Sequence, residues 1–335
     1  MKKKWLVALF VGLAALLIVL FAVALMVGRY TISPSSFFKA LFTSSEEVAT
    51  ERSVIVNLRL PRTIIACLTG IALSVSGLLY QETFRNELVS PDLLGVSNGA
   101  AVGASIAILL GLPTIFVSVS AFILGVITVF ITCLISKLFK NGSRTVLVLS
   151  GVIVSGFMSA VLSILKFVAD PDTTLATITY WLMGSFEDSK MVNVWIMLPV
   201  VACCVAFLLI IGWRINVVSL GAEEAQTKGL NYKFYRLAII GISTLLTASS
   251  VACCGCVSWV GLAIPHVVRL MVGKNTRRSL PFSIVMGGSF MIGADILSRT
   301  LAASEIPLSA ITGIIGTLLF VVILLLRKKE VVNHD

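Results

Sequence analysis

The chain has 335 residues, is 58% hydrophobic and only 13% charged, and carries a formal net charge of +10. Soluble domains are nearer about 45–50% apolar and about 25% charged, so a water-soluble globule is excluded and an all-α polytopic membrane protein is expected. The basic excess does not mark a nucleic-acid binder, because the Lys and Arg residues lie at the ends of apolar runs.

Ten apolar segments follow in chain order, near 5–27, 63–84, 93–111, 114–136, 145–168, 191–212, 234–254, 257–272, 281–298 and 307–326. They form one transmembrane domain over 1–335. A run of lysines precedes the first segment, as in a signal peptide. The stretch from Trp5 to Val27 is too long for a signal h-region and lacks a small-residue cleavage site, so a retained span is expected. If the N-terminus lies inside, eighteen of the 26 Lys and Arg residues fall on the cytoplasmic side, and both termini with them. Residues 28–62 and 169–190 are then the long outer segments, the second apolar enough in its middle for a short surface helix.

The stretch from Arg59 to Gly103 organises the chain. Pro61 is tolerated in the first turn of a helix, so a helix start is predicted there, with Arg59 and Arg62 sharing one face. Gly70 and Gly77 let another helix approach the second segment closely. Gly95, Gly99 and Gly103 recur every four residues, a small-residue stripe for helix packing. The longest inner loop, 213–233, contains a stretch from Leu220 to Lys228 that suits two helical turns. Glu223 and Glu224 sit at its positive end and Gly229 stops it. No GxxxxGK[ST] motif occurs, so a nucleotide-driven engine would be another chain. The seven cysteines all lie in or beside apolar runs and read as reduced, buried thiols, with no disulfide framework or metal-ligand spacing. His266 is the one histidine in a span and reads as a packing hydrogen-bonder.

These residues form an ordered series over about 250 positions. It begins with Arg59, Pro61 and Arg62, then Ser76, Gly77 and Gln81, then Asn86, Leu88, Pro91, Leu94, Gly95, Gly99 and Ala100. It continues with Trp181, Met183, Gly184 and Ser185, and with Gly221, Glu223, Ala225 and Gly229. It closes with Val260, Gly261, Leu262, Pro265, His266 and Arg269, then Ala294, Asp295, Arg299 and Pro307. The series resembles the FecCD-type permease family, the transmembrane subunits of type II ABC importers for ferric siderophores, haem and cobalamin. Glu87 departs from that pattern where a proline is usual, and Cys256, Ser258 and Trp259 depart before the VGL motif.

The resemblance implies alternating access in a dimer of this chain or of this chain with a homologous permease, in the bacterial cytoplasmic membrane. It implies a path along the dimer axis lined by the fifth and tenth spans, with 169–190 at its mouth. It implies no cofactor in this chain, with ATP and Mg on a partner ATPase dimer seated at Gly221, Glu223, Ala225 and Gly229. Arg59, Arg62 and Arg299 would receive acidic residues of an extracytoplasmic substrate-binding protein, so reversing their charge is expected to abolish docking and leave folding intact. Asn86, Leu88 and Ser143 would form the inner gate. An iron–siderophore complex is the expected cargo, with haem or cobalamin as alternatives. From the residues themselves, Arg59, Arg62 and Arg299 read equally as snorkelling interface groups, with Asp295 and Arg299 at i,i+4. An intramembrane hydrolase using Ser76, Ser150 or Ser155 with His266 lacks an organised nucleophile motif. A secondary carrier lacks the mid-membrane charges that ion coupling needs.

Overall fold

A computed structural model describes residues 3–42, 48–139 and 144–332. Among them there is no β-strand; the elements are helices joined by short turns. In chain order they are α1 (Lys3–Met26), α2 (Pro34–Phe42), α3 (Ala49–Ser53), α4 (Leu60–Phe84), α5 (Val96–Leu109), α6 (Thr114–Leu138) and α7 (Arg144–Val168). Then come α8 (Thr174–Met183), α9 (Met191–Leu220), α10 (Ala222–Thr227), α11 (Tyr232–Cys254), α12 (Val260–Val272), α13 (Thr276–Thr300) and α14 (Leu308–Val332). Seven helical stretches are long and apolar enough to cross a membrane, and three shorter apolar helices, α5, α12 and α14, complete the set.

α4 is the axis of the bundle. It packs against α9, α11, α12 and α13, and from Pro61 to Phe84 it is buried on nearly every side. A helix enclosed all round needs no polar face, which is why its sequence shows no clear amphipathic period. Its two glycines are crossing points. A Cβ on Gly70 would stand 2.0 Å from the carbonyl oxygen of Gly287 in α13, and one on Gly77 would stand 1.8 Å from that of Gly261 in α12. Without side chains the backbones touch, and polar groups then bond across the gap. Ser74 Oγ donates to Ser283 O at 2.8 Å, and Thr247 Oγ1 to Ser76 Oγ at 3.1 Å.

Four expectations change. Pro61 does lie in the first turn of α4, but the second span starts earlier than expected, because a continuous helical rod runs over 49–84. A π-helical turn at Val54–Arg59 precedes α4, and this wider turn absorbs the missing N–H and the ring of the proline. The third segment, expected over 93–111, opens as a 3-10 turn, Pro91–Leu94. It is α-helical only for the 14 residues of α5, about 21 Å at 1.5 Å per residue and short of a full crossing. The eighth, expected from 257, starts at Val260, because Gly255 and Trp259 take left-handed backbones at φ 73° and 69°. The inner loop expected from 213 starts later, since α9 continues unbroken to Leu220.

The glycine stripe also splits. Gly99 and Gly103 seat α5 on α6, where their Cβ atoms would meet Thr128 Oγ1 at 2.0 Å and Ser120 O at 2.3 Å. Gly95 lies outside the helix, at φ 86°, as the joint between the 3-10 turn and α5. The indole of Trp259 fills the room left by Gly316 of α14 and packs edge-on to Phe320 at 6.3 Å.

Candidate functional site

At the outer end the structure gathers the predicted arginines into one closed network. Arg59, Arg62 and Arg299 are only 5%, 9% and 5% exposed, so they are not free surface cations. Arg62 Nε donates to Asp295 Oδ1 at 2.8 Å, while its Nη1 and Nη2 donate to the two carboxylate oxygens of Glu305 at 2.7 and 2.9 Å. Arg299 Nε lies 3.3 Å from Asp295 Oδ2, the i,i+4 pair expected from the sequence. Its Nη2 donates to Ala24 O at 2.7 Å. Arg59 donates to Leu25 O, Met26 O and Tyr30 O. The two arginines therefore cap the last carbonyls of α1, which have no partner within their own helix. The arginines expected to receive a binding protein are thus already paired within this chain, and burial without these carbonyls and carboxylates would strand the charges. Glu305, a lone acid between two apolar runs, was the missed member, and its only signal was its place just before Pro307.

A cavity of about 630 Å³ opens beside this network. Thr114, Thr177, Trp181, Ser185, Asp188 and Glu305 are among its lining residues. The surface helix expected within 169–190 is α8, and it forms one wall. Asp170 leads into that wall. Hydrogen bonds from the Thr173 hydroxyl and backbone, and from the Asp172 N–H, hold its carboxyl below the ordinary carboxylate range. The opposite rim is pinned by backbone bonds: Ser185 N–H donates to Cys254 O at 2.9 Å and Leu308 N–H to Gly184 O at 3.0 Å. Ser298 Oγ donates to Ile306 O at 2.6 Å.

At the inner end the chain after α4 makes a tight turn. Asn86 Oδ1 accepts the N–H of Leu88 at 3.0 Å, and Leu88 projects with 64% of its surface exposed. Gln81 Nε2 lies 3.2 Å from Val89 O and 3.3 Å from Gly261 O, tying the turn to α12. Glu87, the departure from proline, has its Oε1 3.0 Å from Lys274 Nζ and its Oε2 3.5 Å from His266 Nδ1. His266 is a buried packing residue, its ring 5.6 Å from that of Phe320. Ser143, the third expected gate residue, lies outside the described residues.

Beyond α9 the chain breaks at Gly221, φ 122°, forms α10, and breaks again at Gly229, φ 70°. These glycines bound the short helix as expected. Ala225, however, is fully buried against the rest of this chain, while Glu223, Glu224, Gln226 and Thr227 are exposed. The face of α10 available to another molecule is therefore polar and excludes Ala225. All seven cysteines are free thiols.

Residues 16–327 match the model of the FecCD transport family. The chain is 35% identical over 326 residues to the molybdate import system permease protein MolB of Haemophilus influenzae, covering 96% of this chain and 97% of that one. It is 37% identical over 285 residues to the cobalamin import system permease protein BtuC of Halobacterium salinarum, covering 84% and 75%. A solved metal-chelate type ABC transporter, in an inward-facing conformation, superposes with a TM-score of 0.86 at 34% identity, covering 95% of this chain and 98% of that one. With ten apolar helices among the described residues, α4 buried at their centre, a glycine-bounded helix between α9 and α11, and a family match over nearly its whole length, the chain belongs to the FecCD transport family, as an ABC importer permease.

Proposed function

We propose that this chain is the membrane half of an importer in the bacterial cytoplasmic membrane that carries an iron–siderophore complex inward by alternating access. ATP and Mg would be bound and ATP hydrolysed on separate cassette subunits, which would seat on the exposed face of α10. The observation that carries this reading is α10 itself, a polar-faced helix hinged by positive-φ glycines at the end of the 30-residue α9. A second copy of the chain, or a homologous permease, would complete the path. Apolar residues at four-residue spacing stay exposed on α7 (Leu149, Ile153, Phe157) and on α14 (Ile314, Leu318, Val322), which supports a seam or path along these helices. An extracytoplasmic binding protein would dock on the rim of the outer cavity. The outer arginines enter as the frame that holds this rim, not as its free contacts.

A metal chelate suits the mixed polar and aromatic lining of the cavity, and a metal-chelate type transporter covers nearly all of this fold. Molybdate is the second reading, favoured by the full-length alignment with MolB. Haem and cobalamin fit the same architecture. The test is uptake into proteoliposomes holding this chain, its ATPase and its binding protein, with labelled ferric siderophore, molybdate, haem and cobalamin at equal concentration. ATP-dependent accumulation of the siderophore is expected, and accumulation of molybdate alone would overturn that choice.

A further inference from the structure

The residue that ends α4 is an arginine in a conformation that side-chain-bearing residues seldom adopt. Arg85 has φ 50° and ψ 38°, in the left-handed region, and its N–H caps α4 by donating to Gln81 O and Glu82 O. A glycine would fill this backbone role without steric cost, so the side chain needs its own account. Arg85 Nε donates to Ser219 O in the last turn of α9. Its Nη2 lies 3.1 Å from the point where a Cβ on Gly221 would stand, and Glu224 Oε2 lies 3.2 Å from the same point. Glu82, one turn earlier in α4, is hydrogen-bonded to Ser219 as well. The guanidinium thus bonds the negative end of α9 beside the Gly221 pivot of α10, where a cation is favoured and a fork of N–H donors can reach a carbonyl.

The position of this clamp is what gives it a consequence. Residues 216–219 are a junction: Asn216 Oδ1 accepts the N–H of Thr276 at 2.7 Å, and its Nδ2 donates to Asn275 Oδ1 at 2.9 Å, joining α9 to the start of α13. Gly221, next along the chain, is the pivot of α10. The turn 86–89, which bears the exposed Leu88, follows Arg85 directly. We infer that Arg85 is a positioning residue that passes movement of α10 to the inner turn 86–89. The inference rests on the importer reading above, in which a separate ATPase moves α10.

The experiment uses the assembled complex with its ATPase in nanodiscs, and a Leu88→Cys reporter on a background cleared of the native cysteines. The rate of maleimide labelling at position 88 is measured with and without ATP. The parent is expected to change its rate by about threefold or more on ATP binding, the scale of a coupling residue's effect. Arg85→Gly keeps the left-handed backbone and removes only the side chain. It is expected to stay in complex and hydrolyse ATP while the ATP dependence of labelling disappears, and Arg85→Lys is expected to recover part of it. A purely structural role would lower stability without separating hydrolysis from labelling. Arg85→Gly with the parent's ATP dependence overturns the inference. Should that variant fail to assemble, Arg85→Gln is judged by the same criterion. A parent that forms no ATPase complex overturns the importer reading instead.

Discussion

The two ends of this permease place most of their charge differently. At the outer end, Arg62, Asp295, Arg299 and Glu305 are turned inward and pair with one another while Arg59 and Arg299 hold carbonyls near the end of α1, fixing α1, α4, α13 and the 301–307 rim in one arrangement. At the inner end Arg269 is buried and bonded to Gln81, but Arg85, Glu223 and Glu224 stay exposed, and the joints beside them are positive-φ residues, Arg85 itself and the glycines that bound α10. A buried ion network resists movement because parting its members strands a charge in apolar surroundings. Exposed bonds to carbonyls beside glycine pivots can be exchanged for water at little cost. The outer end is therefore built as a frame and the inner end as a linkage.

The largest expected effect comes from breaking the frame. Arg62→Glu with Arg299→Glu sets two more carboxylates against buried Asp295, and folded protein should be lost from the membrane fraction. That outcome reverses the expectation that such changes spare folding. Normal yield and thermal unfolding would show that these side chains do not meet. Asp295→Ala, which leaves two arginines facing each other, should cost roughly 3–5 kcal/mol of stability in a thermal-shift assay. The crossing that joins the two ends comes next. Gly77→Ala drives a methyl into the carbonyl of Gly261 and should cost roughly 1–3 kcal/mol, by the same assay.

At the inner end the effects should separate stability from coupling. Ala225→Trp, at a fully buried site, should disorder α10 and speed proteolysis at 220–229. Gln226→Trp, on the exposed face, should leave proteolysis unchanged and weaken co-purification with the ATPase. If the two variants behave alike, the assignment of faces on α10 is wrong. The smallest effect is at Glu305→Gln, which keeps hydrogen bonding to Arg62 and loses the charge. Gln preserves a hydrogen bond to Arg62, so a smaller loss than at Asp295 is expected, shrinking as salt is raised.

Much of this was legible in the chain. The apolar runs locate the helices because each span must satisfy its own backbone in lipid, and composition alone enforces that. Gly70 and Gly77 announced close crossings, Gly221 and Gly229 the bounds of α10, and Asp295 and Arg299 their pair one turn apart. Spacing along a helix is local, so it can be read without the fold. Pro61 marked the first turn of α4, but the helical turns before it over 49–59, including a π turn, were not legible from the proline.

The same limit explains the site. The sequence by itself determined that this is a helical membrane protein, that its basic residues favour one side, and that its motifs run in the order of one transport family. It named Arg59, Arg62 and Arg299 but not where they point. The tertiary structure decided that they face Asp295, Glu305 and the end of α1, that Ala225 faces inward, and that Arg85 reaches across to Ser219. Apart from Asp295 and Arg299, those partners lie tens to hundreds of residues apart in the chain, and an arginine bound for solvent and one bound for a buried carboxylate carry the same letter. Burial and pairing arise only when the helices are brought together, since the cost of an unpaired charge is set by what surrounds it.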